Sequence, residues 1–188
     1  MKQSSIKSDN AQERLPLVDE AGNVIGCATR KECHSGSKLL HPVVHLHLLD
    51  TAGRLYLQKR PDWKDIQPGK WDTAVGGHID YGEELTHALR REVREEIGIV
   101  DFTPLKVAKY VFESQIEKEL INVFITVTDA QPIPSDELDG GRFWSIEEIL
   151  ANLDSDIFTP NFTNEFRSIL LPYLSTNPIG VWSNYELR

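Results

Sequence analysis

Residues 76–99, Gly-Gly-His-Ile-Asp-Tyr-Gly-Glu-Glu-Leu-Thr-His-Ala-Leu-Arg-Arg-Glu-Val-Arg-Glu-Glu-Ile-Gly-Ile, decide how this 188-residue chain is read. A glycine-rich loop enters a helix at about Glu83, and Gly98, just past the last periodic residue, stops it. At 100° per residue, Leu85, Ala88, Leu89, Val93 and Ile97 form one apolar arc, while His87, Arg90 and Arg94 point away. Glu92 and Glu96 fall inside that arc and Glu95 at its edge, so three carboxylates share the face turned toward the protein. Like charges at these spacings repel by roughly 0.2–0.5 kcal/mol per pair in water. Partial burial adds a desolvation cost that only a partner charge offsets. Two remedies exist, protonation or a hard divalent cation that prefers oxygen ligands, Mg2+ or Mn2+. Arg91 lies nearer Glu83 and neutralises only part of the triad, which favours the cation.

The spacing is specific. Gly77, five residues, Glu83, seven residues, then Arg91-Glu92-Val93-Arg94-Glu95-Glu96-Ile97-Gly98-Ile99 resembles a complete Nudix box with every required position filled. The resemblance implies an α/β/α sandwich with a mixed β-sheet, the box forming a loop and helix beside it. It also implies a metal-dependent hydrolase that cleaves a diphosphate linkage in a small substrate. Glu92, Glu95 and Glu96, with the Gly76 carbonyl, would hold Mg2+ or Mn2+, and Glu83 and Arg91 would orient the helix and loop. The general base stays open among Glu95, Glu96, Glu117 and Glu119.

Composition bounds the rest. Hydrophobic residues at 40% and charged residues at 26% are ordinary for a globular protein of one domain. The net charge of −9 argues against nucleic-acid or membrane-surface binding, so an anionic substrate needs local cations or metal. Two cysteines, Cys27 and Cys33, are too few for a disulfide scaffold, and a cytoplasmic location is expected. Residues 1–14 read as a flexible N-terminal tail, 15–176 as a single domain and 177–188 as a C-terminal tail carrying Trp182 and Tyr185. A homodimer is expected from prevalence alone.

Along the chain, 15–19 and 24–28 read as an N-terminal β-hairpin extension turning at Gly22-Asn23, and 30–41 as a polar connection. Strands follow at 42–50, 54–59 and 71–75, with a loop between the last two. After the helix, 105–113 and 120–128 are strands, the second alternating Ile121, Val123, Ile125 and Val127 against Asn122, Phe124 and Thr126. Gly141 to Trp144 is a short strand, Ser145 caps a helix to about Leu153 with Glu148 completing a capping box, and a last helix runs from about Thr163 to Leu174. His45 and His47 share one strand face and read as packed or hydrogen-bonded, whereas His87 faces solvent.

From about Leu15 to Leu150 the chain is also similar to isopentenyl-diphosphate isomerases and the hydrolases most like them, through Leu17-Val18-Asp19, His34, Leu40-His41, Leu57-Gln58-Lys59-Arg60, Lys64, Pro68-Gly69-Lys70-Trp71, Gly77-His78 and Glu117-Lys118-Glu119. That resemblance implies a second metal site of His34, His41, His78, Glu117 and Glu119, three imidazoles and two carboxylates suited to a divalent ion. It places Arg60 and Lys64, with Arg30, where the isomerases hold diphosphate. The isomerases' catalytic cysteine falls at Gly76 here, and their box lacks carboxylates at the places of Glu92 and Glu95. Both departures favour hydrolysis over isomerisation, with a non-catalytic binding module as the other alternative. Nucleoside diphosphates or triphosphates, nucleotide sugars and prenyl diphosphates all remain as substrates.

Overall fold

The computed structural model describes residues 10–64 and 66–177. Strands β1 (Arg14–Val18) and β2 (Val24–Thr29) form the expected hairpin. Gly22 supplies the left-handed turn at φ +96°, and the Asp19 carboxylate accepts from both the Asn23 backbone N–H (2.8 Å) and its side-chain amide (2.9 Å). Within the stretch expected as tail, Arg14 opens β1 and the Glu13 carbonyl accepts from Arg30 N–H at 2.8 Å. The polar connection contains a short helix, α1 (Arg30–Cys33), closed by a capping box between Thr29 and Glu32.

The main sheet has seven strands and is built on β3 (Leu40–Leu49). Along one edge β3 pairs in parallel with β8 (Lys118–Val127), which in turn pairs antiparallel with β7 (Leu105–Glu113). Its other edge is divided. Residues 43–46 pair with β6 (Val75–His78) and residues 48–49 with β4 (Leu55–Lys59), and β4 carries β5 (Trp71–Asp72) and β9 (Gly141–Trp144). The sheet therefore splits between β6 and β4. The strand expected at 71–75 is two pieces, and the glycines read as loop belong to β6.

Parity assigns the layers. Val44, Leu46 and Leu48 of β3, with Val75, pack on α2 (Leu85–Ile97) through Ala88, Leu89, Val93 and Ile97. Fully burying each of the larger side chains contributes roughly 1.5–3 kcal/mol, enough to hold a helix that also carries clustered acids. On the opposite face Leu49, Leu57 and Ile125 meet α3 (Ile146–Asn152) and α4 (Pro160–Glu165) through Ile149 and Phe162. Helices thus cover both faces, the expected α/β/α arrangement with a mixed sheet. Because both faces are covered, the polar half of the β8 alternation is inside: Asn122 and Thr126 are buried.

The Ser145–Glu148 capping box ahead of α3 is present. The last helix starts three residues before Thr163, since Thr159 caps it and Pro160 fills its first turn. It continues through a π-helical segment, Phe166–Leu170, into α5 (Leu171–Thr176). Trp182 and Tyr185 lie outside the described residues. No helix among the described residues is long and apolar enough to cross a membrane.

Candidate active site and metal centre

The two glycines of β6 open in opposite directions. A Cβ on Gly77 would stand 2.1 Å from Glu92 Cδ, so only glycine lets that carboxylate lie against the strand. A Cβ on Gly76 would meet His45 Cδ2 at 3.5 Å, His45 Nε2 at 3.6 Å and Thr73 Cγ2 at 3.8 Å, ordinary contacts, so a space of about one methyl lies between the glycine and the ring. Between them runs a cleft of about 830 Å3 that reaches from the box helix to the turn at Glu117.

On the helix side, Glu96 Oε2 accepts from Gly76 N–H and from Gln58 Nε2, both at 3.3 Å. Burial, reinforced by the charge of Glu92, pushes the Glu96 carboxyl up to about 8. Burial raises Glu92 to about 7 despite the pull of Arg91. Glu95 departs from the expected inward face: its side chain is 53% exposed, on the rim of the cleft, as its place at the edge of the apolar arc allows. Arg91 ties the box together. It donates to both Glu83 oxygens (2.9 and 2.8 Å), to Glu92 (2.7 Å), to Glu95 (3.4 Å) and to the His78 carbonyl (3.0 Å). The guanidinium so neutralises one charge of a cluster that keeps two carboxylates drawn into low dielectric. That donor set, all oxygen and under-compensated, suits a hard divalent cation.

The isomerase-like residues also converge. Ligand atoms of His34, His41 and His78 lie within 4.8 Å of one another. His41 is fully buried, its Nδ1 donates to the Leu39 carbonyl at 2.9 Å, and its Nε2 is left without a partner. A buried nitrogen lone pair facing two other imidazoles is a donor arrangement that could hold a divalent ion. His34 Nδ1 lies 3.1 Å from Glu117 Oε2, and His41 Nε2 lies 3.9 Å from Glu119 Oε1. Burial lowers His41, and burial with the Arg30 charge lowers His78 well below the ordinary histidine value, so both imidazoles are neutral, and His41 keeps a lone pair on Nε2. Burial, with Glu117 beside it, lifts Glu119 to about 8.

Arg30, Arg60 and Lys64 all line the cleft. Arg30 donates to His78 Nδ1 (2.8 Å) and Glu13 (3.3 Å), and Arg60 to Asp72 (3.1 Å) and the Ile66 carbonyl (3.0 Å). Lys64 stands over the Trp63 ring at 4.7 Å. Glu13 and Asp72, unmarked in the sequence, are the acids that position two of these cations.

Below Gly76 lies a buried network. His45 Nδ1 and the Tyr110 hydroxyl donate to one oxygen of Glu165, and His47 Nε2 to the other, at 2.6–2.7 Å. Burial opposes protonation of His45, but the charge and hydrogen bond of Glu165 outweigh it and raise the imidazole to about 9. The reading of His45 and His47 as hydrogen-bonded holds, and His87 is exposed. Sequence reading missed Glu165, although its place on the same helical stripe as Phe162, Phe166 and Ile169 marks it as facing inward, as for Glu92 and Glu96.

Comparison with known proteins agrees with this geometry. A family model described as NUDIX domain matches residues 39–166. Over 167 residues the chain is 29% identical to isopentenyl-diphosphate Delta-isomerase 1 of Photorhabdus laumondii, covering 84% of this chain and 95% of that protein. Over 150 residues it is 30% identical to an uncharacterized Nudix hydrolase of Yersinia pestis, covering 79% and 81%. A crystal structure from Deinococcus radiodurans superposes with a TM-score of 0.72 at 27% identity, covering 82% of this chain and 98% of that one. The MutT protein of Methanosarcina mazei gives 0.62 at 25% identity, over 74% and 96%. With carboxylates and glycines in place and the family model spanning most of its length, the chain belongs to the NUDIX domain family.

Proposed function

We propose that the chain is a metal-dependent hydrolase that cleaves the diphosphate linkage of a small substrate. One observation carries the reading: Glu92 and Glu96 are drawn against Gly77 and Gly76 with one arginine to serve the whole acidic cluster. Glu92, Glu95, Glu96 and the Gly76 carbonyl are the residues that would hold Mg2+ or Mn2+. Bound there, the ion would neutralise charge on phosphate oxygens and lower the pKa of a water. Arg91 holds Glu83 and Glu92 in register so that the acids meet the ion at fixed positions. Arg60 and Lys64 offer the phosphate a planar fork and a mobile point charge. Arg30 lines the same cleft and is the third candidate phosphate-binding cation. A cleft carboxylate takes the proton of the attacking water; Glu95 and Glu96 in the box, and Glu117 and Glu119 outside it, are the groups within reach of that role. His34, His41, His78, Glu117 and Glu119 form the second candidate ligand set.

Gly76 argues against isomerase chemistry, which needs an acid and a base on either side of an alkene. No side chain stands at that position to serve. A screen of diphosphate compounds with Mg2+ or Mn2+, scored by released products, tests the reading. Turnover abolished by Glu96→Gln supports it. Conversion of isopentenyl diphosphate to its dimethylallyl isomer, or turnover indifferent to Glu96→Gln, overturns it.

A further inference from the structure

Beyond the metal-binding box, the opposite wall of the cleft carries a polar contact that the hydrolase reading leaves unused. His45 is 8% exposed, lines the cleft, and approaches the open side of Gly76 with its Cδ2–Nε2 edge. Its other nitrogen is fixed at 2.7 Å by Glu165, which is fully buried and further anchored by His47 and Tyr110. An imidazole clamped on one nitrogen cannot swing away, so its second nitrogen is presented at a constant place and angle. Burying His45, His47 and Glu165 together is costly, and apolar residues of similar size would fill the space more cheaply. Asp72, the partner of Arg60, and Glu119 stand close enough to act on His45 electrostatically. A hydroxyl group fits, because it can donate or accept as the imidazole requires.

We propose that His45 is a substrate-contacting, specificity-determining residue whose Nε2 bonds a hydroxyl of the polar group attached to the diphosphate, with Glu165 as its positioning residue. The inference rests on the diphosphate-hydrolase reading and narrows it: the group beyond the diphosphate is a sugar or nucleoside, not a hydrocarbon chain. The space that Gly76 leaves beside the ring is the place for that hydroxyl.

Four substitutions, at His45, Gly76 and Glu165, separate the contact from the scaffold. His45→Asn keeps a donor toward Glu165 and deletes Nε2, whereas His45→Gln keeps a polar group near the place of Nε2. Gly76→Ala fills the open space with a methyl at an ordinary 3.5 Å contact and leaves the backbone carbonyl in place. The assay is steady-state hydrolysis of ADP-ribose, UDP-glucose and CDP with geranyl diphosphate as the hydrocarbon control, together with calorimetric binding of α,β-methylene-ADP. We expect the wild type to favour the polar-headed compounds. His45→Asn should raise KM for the preferred compound, and weaken the analogue, about tenfold, the worth of a well-placed hydrogen bond, with kcat little changed. His45→Gln should recover part of that loss, and Gly76→Ala combined with His45→Asn should cost no more than either alone. Glu165→Gln should raise KM for the same compound while sparing kcat.

Equal KM and equal analogue binding in wild type and His45→Asn overturn the contact while leaving the hydrolase reading intact. A preference for geranyl diphosphate overturns the substrate class in the same way. No turnover of any compound, with Mn2+ uptake absent, overturns the hydrolase reading and the contact with it.

Discussion

Replacing Glu96 by glutamine should make the metal-free protein more stable while abolishing its activity. Its carboxyl lies at about 8, against 4.5 for a free glutamate, through burial and the charge of Glu92. At about 1.4 kcal/mol per pH unit that difference has an upper bound of about 5 kcal/mol. The folded protein binds this proton more tightly than the unfolded chain does. The associated stability is therefore complete below pH 4.5 and is lost as pH rises, about 3 kcal/mol of it by pH 7 and the rest by pH 8. Glutamine carries no proton to lose, and its carbonyl can still accept from Gly76 N–H, as Glu96 does at 3.3 Å. Coupling to Glu92 and contact with cleft water reduce the gain to about 1–3 kcal/mol at pH 7, or about 3–10 °C in Tm for a chain of this size. Thermal unfolding in EDTA at pH 5, 7 and 8 reads it directly. The two proteins should unfold together at pH 5 and diverge as pH rises, and added Mg2+ or Mn2+ should rescue the wild type far more than the variant. A variant less stable than wild type at pH 8 without metal, or a separation independent of pH, would refute the reasoning.

Gly77→Ala should force Glu92 off the strand, since its Cβ would stand 2.1 Å from Glu92 Cδ; a loss of about 1–3 kcal/mol in urea unfolding and at least tenfold in kcat is expected. Arg91→Lys retains the charge but not the fork that grips both Glu83 oxygens along with Glu92. It should lower kcat/KM by about 10–100-fold in the diphosphate assay, and wild-type rates in that variant would deny Arg91 its orienting role. His41→Ala removes the orphaned imidazole nitrogen from the histidine cluster and should reduce Zn2+ bound at equilibrium dialysis by one equivalent. Unchanged stoichiometry would show that the three histidines hold no ion.

The box helix was legible because its chemistry is written in spacing: apolar residues set the arc, and acids inside it cannot be solvent decoration. The β7–β8 pair and the N-terminal hairpin were legible for the same reason, as runs bounded by turn residues. Where the reading failed, nonlocal geometry decided. Gly76 and Gly77 look like loop in isolation, yet pairing with residues 44 and 45 of β3 makes them strand, and the missing side chain of Gly77 makes room for Glu92. The short helix at Arg30–Cys33 had a local signal, Thr29 and Glu32 at capping-box spacing, that the surrounding polar residues masked. The partners of His45 and His47 lie 120 and 118 residues away, a separation no local periodicity encodes. The convergence of His34, His41 and His78 likewise needs α1, β3 and β6 brought together, and only resemblance to a family supplied it in advance.

The central claim is that the inward acids of the box helix exist to bind a divalent cation. Electron paramagnetic resonance titration with Mn2+ at pH 7.5 measures this without a substrate. The wild type should take up Mn2+ saturably, and that uptake should be lost from the protein carrying both Glu92→Gln and Glu96→Gln, whose fold is checked by circular dichroism. Identical Mn2+ uptake in the two proteins, or none in either, would contradict it.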